Sequence, residues 1–311
     1  MISIGLPAFK PQFLAEAVQS VIDQSFPDFE LIVVNDRSNP QIRTIVNSFS
    51  DHRIRYFEEE SELPVVENWN RVLSYAKGEY FVLFSDDDRY DPDFLSEMNS
   101  LVTKYPLCNI FHCQVRKISV SGEQLAITAL CPDYESGFDF ICHRLNGERE
   151  QYAPEFAVRT SMLRSIGGFV NLPLAWGSDD LTWFQLAIKG GIAYSPKALV
   201  DWRQSPYQIS ETGNVEERLL AVEKYSTWLR NYIETIQPTE EKEKIILNRM
   251  KSLYPAQSDR QKAHLVAVNA RYTSPLGQIS FFLQYRKKHH LKFPWLVYSL
   301  YSKMKRGTIL P

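Results

Sequence analysis

Three adjacent carboxylates, Asp86, Asp87 and Asp88, follow the apolar run Tyr80-Phe81-Val82-Leu83-Phe84 after a single Ser85. Like charges this close repel and raise one another's pKa, so the run is costly unless something positive meets it. A divalent cation does so, and hard ions such as Mg2+ take carboxylate and phosphate oxygens together. An exposed acidic turn capping a helix that starts near Pro92, Asp93 and Phe94 accounts for the same residues, with Asp88 or Asp91 serving only as a cap. Asp36 follows a second apolar run, Glu30 to Val34. Its carboxylate there can accept from a base N–H or a ribose hydroxyl, although Asp or Ser after a strand also caps the next helix. Asp179 and Asp180 lie at a loop-to-helix junction after Gly177-Ser178, which puts one of them near an N-cap. A carboxylate beside another acid and partly desolvated can act as a general base, and a plain cap fits each residue taken singly.

Other chemistries leave little trace. The sequence has no GxSxG elbow, no P-loop and no GxGxxG, and its six His fall in no ligand spacing. His112 and His143 read as structural. Cys108, Cys113, Cys131 and Cys142 form no CxxC pair, so free thiols in a reducing compartment are expected.

Carboxylates at strand ends need strands to carry them. Ile2 to Leu6 reads as a strand and Pro7 to Pro11 as a loop. Phe13 to Gln24 reads as a helix with Leu14, Ala17, Val18, Val21 and Ile22 on one face. Glu30 to Val34 is apolar enough for a parallel strand covered on both sides. Asn39 to Phe49 and Val65 to Ala76 read as helices, Ile54 to Phe57 as a short strand, and Gly78 stops the last helix before the next strand begins. Repeated β-α-β units predict a doubly wound, mostly parallel sheet, in which ligands sit beyond the carboxyl ends of the strands. The clusters at Asp36 and at Asp86 to Asp88 both fall there. Residues 107–195 mix strands and loops, and from about Glu216 long helices follow, with 237–244 as a hinge or helix start.

A chain of 311 residues, 44% hydrophobic, is long enough to bury a full core and a second subdomain. No apolar run approaches the ~20 residues that span a bilayer, and Met1 leads straight into a strand pattern without a basic leader. A cytoplasmic, non-exported protein is expected. The net charge of −2 hides a split, because ten Lys or Arg and no acid follow Asp259, leaving 25 basic against 37 acidic residues up to and including it.

Read in order, these pieces resemble family 2 glycosyltransferases, enzymes of the GT-A fold. Ile2-Ser3-Ile4-Gly5-Leu6-Pro7-Ala8-Phe9-Lys10 is similar to the family's first strand and its Pro-Thr-Tyr-Asn loop. Ala17 through Ser38 matches, over nearly its whole length, the helix, apolar strand and acidic turn that follow. Asn70 to Tyr80 is similar to the helix ending that precedes the DXD strand. Arg159, Ile166-Gly167-Gly168-Phe169 and Asp179 fall where the family has its acceptor-side loop and catalytic carboxylate.

The resemblance covers about residues 1–210. It implies a GT-A catalytic domain over 1–215, with a nucleotide-sugar half over 1–105 and an acceptor half over 106–215, and then a helical, basic region over 216–311. It implies an inverting, metal-dependent hexosyltransferase that moves a sugar from a nucleoside diphosphate sugar, UDP first, to an acceptor hydroxyl in polysaccharide or glycolipid synthesis. Pro7, Ala8, Asp36 and Asp86 would hold the nucleoside, and Asp87 would ligate Mn2+ or Mg2+. Asp179 would be the base, with Gly168 and Asp180 on the acceptor side. Asn35 and Ser85 replace Asp at the leading positions of two motifs, and Ser205 stands where many members carry a His.

A catalytically silent nucleotide-sugar-binding scaffold of the same fold is the competing reading, with Ser205 its best argument. A nucleotidyltransferase would need a Gly- and Lys-rich phosphate loop, which Pro7 to Pro11 is not. The tail, Arg286 to His290 with Lys292, Phe293, Trp295, Tyr298, Tyr301, Lys303, Lys305 and Arg306, has the make-up of a basic amphipathic helix on an anionic membrane. That would place a lipid-linked acceptor and the enzyme together on the inner face of the membrane. Packing of its aromatics on the catalytic domain fits the same residues. Nucleic acid is not expected as a partner, since the acidic body would repel it.

Overall fold

The computed structural model describes residues 1–205, 214–270, 275–292 and 294. They form an α/β sheet region followed by helices. The strands are β1 (Ile2–Ala8), β2 (Phe29–Asn35), β3 (Ile54–Glu58), β4 (Tyr80–Leu83), β5 (Arg89–Tyr90), β6 (Ile110–Ile118), β7 (Gln124–Ile127), β8 (Tyr134–Glu135), β9 (Phe156–Arg159) and β10 (Ile192–Arg203). The helices are α1 (Leu14–Ile22), α2 (Pro40–Asn47), α3 (Val65–Tyr75), α4 (Phe94–Lys104), α5 (Gly137–Asn146), α6 (Thr160–Ser165), α7 (Ser178–Ile188), α8 (Val215–Thr235), α9 (Glu241–Ala270) and α10 (Pro275–His289).

The sheet runs β3-β2-β1-β4-β9-β6-β10-β5. Its first four strands are all parallel, as the apolar runs predict. Every residue of β2 is buried, the pattern of a strand covered on both faces. α1 buries Leu14, Ala17, Val18 and Val21, the spacing of one helical face. Gly5 sits where a Cβ would lie 2.5 Å from Val72 Cγ1 and 2.7 Å from Phe81, so its lack of a side chain lets α3 lie close on β1. β9 enters antiparallel between β4 and β6, and β5 pairs antiparallel with β10 at the far edge.

The register brings the carboxyl ends of β1, β2 and β4 together. Ala8 pairs with Asn35, and Gly5 with Leu83. β1 carries β2 on one side and β4 on the other, so the chain's winding reverses at β1, the place where such sheets form their crevice. Pro7 and Ala8, expected in a loop, continue the strand because their partners Val34 and Asn35 extend the ladder.

The chain divides into two compact units. The first comprises Met1–Arg144, Glu148–Asn171 and Gly177–Gln208, and the second comprises Leu145–Gly147, Leu172–Trp176 and Ile209–Pro311. The second has its own core of Leu219, Val222, Leu265, Val266, Phe282, Tyr285 and Leu291, against which Trp176 packs. Asn214 and Glu217 close a reciprocal capping box at the start of α8. Part of the basic tail is paired within this unit. His289 is buried between Glu216 (3.2 Å) and Glu223 (2.9 Å), Lys288 meets Glu216 at 2.8 Å, and Lys292 meets Asp259 at 2.6 Å. Phe293, Trp295, Tyr298, Tyr301, Lys303, Lys305 and Arg306 of the expected membrane tail lie outside the described residues. Among the described residues, no helix is long and apolar enough to cross a membrane.

Candidate active site

The three carboxylates after β4 are all buried, Asp86 at 4%, Asp87 at 8% and Asp88 at 2% exposure, so they are not a solvated capping turn. Asp93, not Asp88 or Asp91, occupies the cap position of α4. The three side chains face different partners. Asp86 Oδ2 accepts the backbone N–H groups of Phe9 (2.7 Å) and Lys10 (2.6 Å), which ties the end of β4 to the loop after β1. The Lys10 ammonium donates to Asp87 Oδ2 at 2.8 Å and stands 3.7 Å from Asp86 Oδ1. Asp88 Oδ1 accepts from the Arg203 N–H at 2.8 Å.

Burial pushes Asp86 up to about 6, against the pull of the Lys10 charge and N–H. Burial likewise pushes Asp88 well above the carboxylate range, with the Asp87 charge adding to it. Burial lowers the Lys10 ammonium, but Asp86 and Asp87 reverse this and hold it above its ordinary value. Arg203 braces the cluster. It donates to the Asp87 carbonyl at 2.8 Å and to Glu16 at 2.7 Å, and its guanidinium lies over the Phe13 ring at 4.2 Å. Ser205, two residues further on, is buried.

Asp36 follows β2 and is 3% exposed, with Arg71 of α3 at 3.1 Å. Burial raises its carboxyl, and Arg71 opposes the rise. Arg37 lies 4.5 Å over the Phe9 ring, joining this turn to the loop after β1. Asn35, where the family has Asp, has a plain structural use. Its amide donates to the Asn39 carbonyl (2.9 Å) and to the Tyr56 hydroxyl (2.8 Å), and its Oδ1 accepts from the Asn39 N–H. A carboxylate could not donate either bond.

Asp179 and Asp180 occupy the first turn of α7, whose N-cap is Gly177, so neither is itself the cap. The Ile166-Gly167-Gly168-Phe169 turn aims this helix. Gly168 has φ +85, and a Cβ there would meet Asn70 Oδ1 at 2.3 Å. Asn70 Oδ1 accepts the Phe169 N–H at 2.8 Å, and the Val170 N–H donates to Thr182 in α7. Asp180 is buried and takes a two-pronged contact from Arg144, with Nη2 at 2.8 Å and Nε at 3.1 Å. Asp179 is half-buried; burial pushes it up to about 7, with the Asp180 charge adding to the rise. Glu155, 2% exposed, completes this acidic neighbourhood. Burial pushes its carboxyl well up, Arg144 opposes, and Asp179 and Asp180 push it further.

Thus the structure gathers Pro7, Ala8, Asp36, Asp86 and Asp87 at the carboxyl ends of β1, β2 and β4, and sets Asp179 and Asp180 at the head of α7. Gly168 serves the turn that delivers α7. Sequence reasoning missed Lys10, Arg71, Arg144, Glu155 and Arg203. Lys10 was in view within Pro7 to Pro11, but its partner is 77 residues away. For a divalent ion, Asp87 and the second oxygen of Asp86 are the donors at hand. Among the described residues, no three His, Cys, Asp or Glu side chains gather into a cage. Two carboxylates fit an ion that takes its remaining oxygens from phosphate and water, as Mg2+-like ions do.

A profile of glycosyl transferase family 2 matches residues 3–155. TuaG of Bacillus subtilis, named for teichuronic acid biosynthesis, is 32% identical over 200 residues, covering 62% of this chain and 75% of its own. Three other curated relatives are matched over only 44%, 17% and 32% of their own lengths. Among solved structures, S. aureus TarS in complex with UDP-GlcNAc superposes with a TM-score of 0.61 at 15% identity, over 89% of this chain and 82% of that one. The mannosyltransferase PcManGT of Pyrobaculum calidifontis, in complex with GDP-Man and Mn2+, gives 0.58 at 15% identity, over 96% and 83%. At that identity the likeness concerns the fold.

Proposed function

The chain belongs to glycosyl transferase family 2, and from that premise we propose that it moves a sugar from a nucleoside diphosphate sugar to an acceptor hydroxyl, with inversion at the anomeric carbon. The observation that carries this reading is the meeting of Asp36, Asp86 and Asp87 at the carboxyl ends of β1, β2 and β4. Asp36 and Asp86, with the backbone of Pro7 and Ala8, hold the base and ribose. UDP is the favoured nucleotide, as in the TarS complex. Asp87 would hold a divalent ion, which when bound would supply Lewis acidity toward the leaving group. PcManGT is in complex with both GDP-Man and Mn2+.

Asp179 takes the proton from the acceptor hydroxyl as that oxygen attacks the anomeric carbon. One displacement with one base inverts the centre. A carboxylate held near 7 is poised for this, because a base works best when its pKa lies near the working pH. Asp180 cannot serve as readily, since Arg144 already holds its carboxylate. The acceptor is a glycan or a lipid-linked glycan of a polysaccharide or glycolipid pathway, the setting TuaG is named for. Peripheral attachment to the inner face of the membrane through the basic C-terminal end fits such an acceptor. Recovery with anionic but not neutral vesicles supports it, and equal recovery from both sinks it.

Ser205, in place of a His, favours the second reading, a silent nucleotide-sugar-binding scaffold. Release of nucleoside diphosphate from a panel of nucleotide sugars with Mn2+, read beside thermal shifts, separates the readings. Binding without release selects the scaffold, and neither binding nor release rejects both.

A further inference from the structure

We propose that the cavity between His112, Tyr194 and Glu155 is a buried water site, and that Glu155 stands there as an uncharged acid with its proton held toward His112, a positioning residue for Asp179. The inference rests on the reading of Asp179 as the base and adds a neighbour that must stay neutral. His112 belongs to β6, Tyr194 to β10, and Glu155 ends the 3-10 turn Ala153–Glu155 that leads into β9. The three side chains are 4%, 3% and 2% exposed. The cavity has about 10 Å³ of room, enough for one water, and Arg149 also lines it. Both His112 nitrogens, the Tyr194 hydroxyl and Arg149 Nε are buried without a hydrogen-bond partner among the described residues. Buried polar atoms are rarely left so, and an internal water that meets several at once is the ordinary remedy.

The proton is placed by charge and distance. His112 Nδ1 lies 3.5 Å from Glu155 Oε1, and among the described residues no other charged side chain pairs with Glu155. An imidazolium and a carboxylate would draw in to about 2.7 to 2.9 Å, whereas the observed spacing is that of a loose neutral contact. The nearby guanidiniums have other partners. Arg149 lies 2.8 Å from Glu135, which His143 also meets, and Arg144 holds Asp180 at 2.8 Å. Burial lowers His112 to about 3, with the Arg149 charge adding to the fall. Burial lifts Glu155; Arg144 opposes, and Asp179, Asp180 and Glu150 add to the rise. The Cys113 thiol and the Tyr194 phenol are pushed up by burial too, and the remaining acid in the wall is Glu148. The proton therefore stays on Glu155 and Nδ1 is its acceptor. That tautomer carries its hydrogen on Nε2, for which the cavity water is the partner. Asp179 owes its own rise to burial and the Asp180 charge. A further charge on Glu155 would push it higher, beyond the range where it ionises at neutral pH.

The test is infrared spectroscopy of the full chain at neutral pH. Wild type minus Glu155→Gln should show the C=O band of a protonated carboxyl, and a difference in carboxylate bands alone overturns the neutral acid. His112→Phe should move that band to higher frequency, because the acid loses its acceptor. An unmoved band overturns the pairing, and this variant keeps the acid in view should Glu155→Gln fail to fold. The carboxylate band that Asp179→Asn removes should titrate at about 7 with Glu155 or with Gln in its place. A charged Glu155 would instead make the Glu155→Gln background titrate about one pH unit or more lower. A crystal structure should show a water within hydrogen-bond reach of His112 and Tyr194, and its absence overturns the water site. Full turnover by Asp179→Asn removes the base reading and with it the positioning role, while the infrared band still decides whether Glu155 is an acid.

Discussion

Asp86 to Asp88 and Asp179 to Asp180 are both runs of adjacent carboxylates, yet their surroundings treat them differently. After β4 every acid has a partner: two backbone N–H groups for Asp86, an ammonium for Asp87 and the Arg203 N–H for Asp88. At the head of α7 the neutralisation is lopsided. Arg144 grips Asp180 with two nitrogens, while Asp179 keeps its charge problem and is pushed up to about 7. The first arrangement suits holding charge, since the site is already built around cations. The second suits moving a proton, since one acid is fixed and its neighbour is left close to neutrality.

The contrast can be broken most sharply at Asp87. Asp87→Ala should abolish turnover and remove the metal-dependent part of nucleotide affinity, read by calorimetry with and without Mn2+. Wild-type affinity in the presence of Mn2+ would take the first cluster out of the charge-holding role. Next in size, Asp179→Asn should lower kcat by about 10²- to 10⁴-fold with donor affinity kept, a typical share for general base catalysis. Asp180→Asn should cost less in kcat, and the reverse ranking would exchange the two roles.

The pH dependence sharpens the same point. A base must be ionised, so kcat should climb with pH through about 7 and level off above it. Stability runs the other way. The folded chain keeps a proton on Asp179 that the unfolded chain, with its ordinary value of 3.8, has already lost. Raising pH across that window therefore destabilises the fold. Asp179→Asn should melt higher than wild type at pH 8, with the gap closing toward pH 4. A gap independent of pH would mean that Asp179 is not held up. The smallest effect concerns the turn that delivers α7. Gly168→Ala, at φ +85 and against Asn70, should cost about 1 to 2 kcal/mol in urea unfolding from the backbone alone. No loss would show that the turn yields and does not fix Asp179.

Much of the first unit was legible. The apolar run through Val34, the spacing of Leu14, Ala17, Val18 and Val21, and the stop at Gly78 are local signals, and the strands and helices fall within one or two residues of them. At Pro7 and Ala8 proline suggests a loop, while the pairing with Val34 and Asn35 extends the ladder and makes them strand. β9 was not legible, since four residues between a turn and a short helix carry too little pattern, and its antiparallel place is set by β4 and β6. The clustered acids were visible as candidates, but whether each was a cap or a buried site group was open, because burial is not a property of spacing.

The sequence by itself determined the alternation of elements, the placing of acids just after apolar strands, and the family to which those signals belong. Which acid received which partner was decided only by the tertiary structure. Lys10 and Asp87 are 77 residues apart, Arg144 and Asp180 are 36 apart, and Arg203 and Asp88 are 115 apart. Local propensity cannot see such pairs. Consecutive acids at a strand end or in a first helical turn point in different directions, and only the packing of distant elements decides which of them meets a cation and which is left to hold a proton.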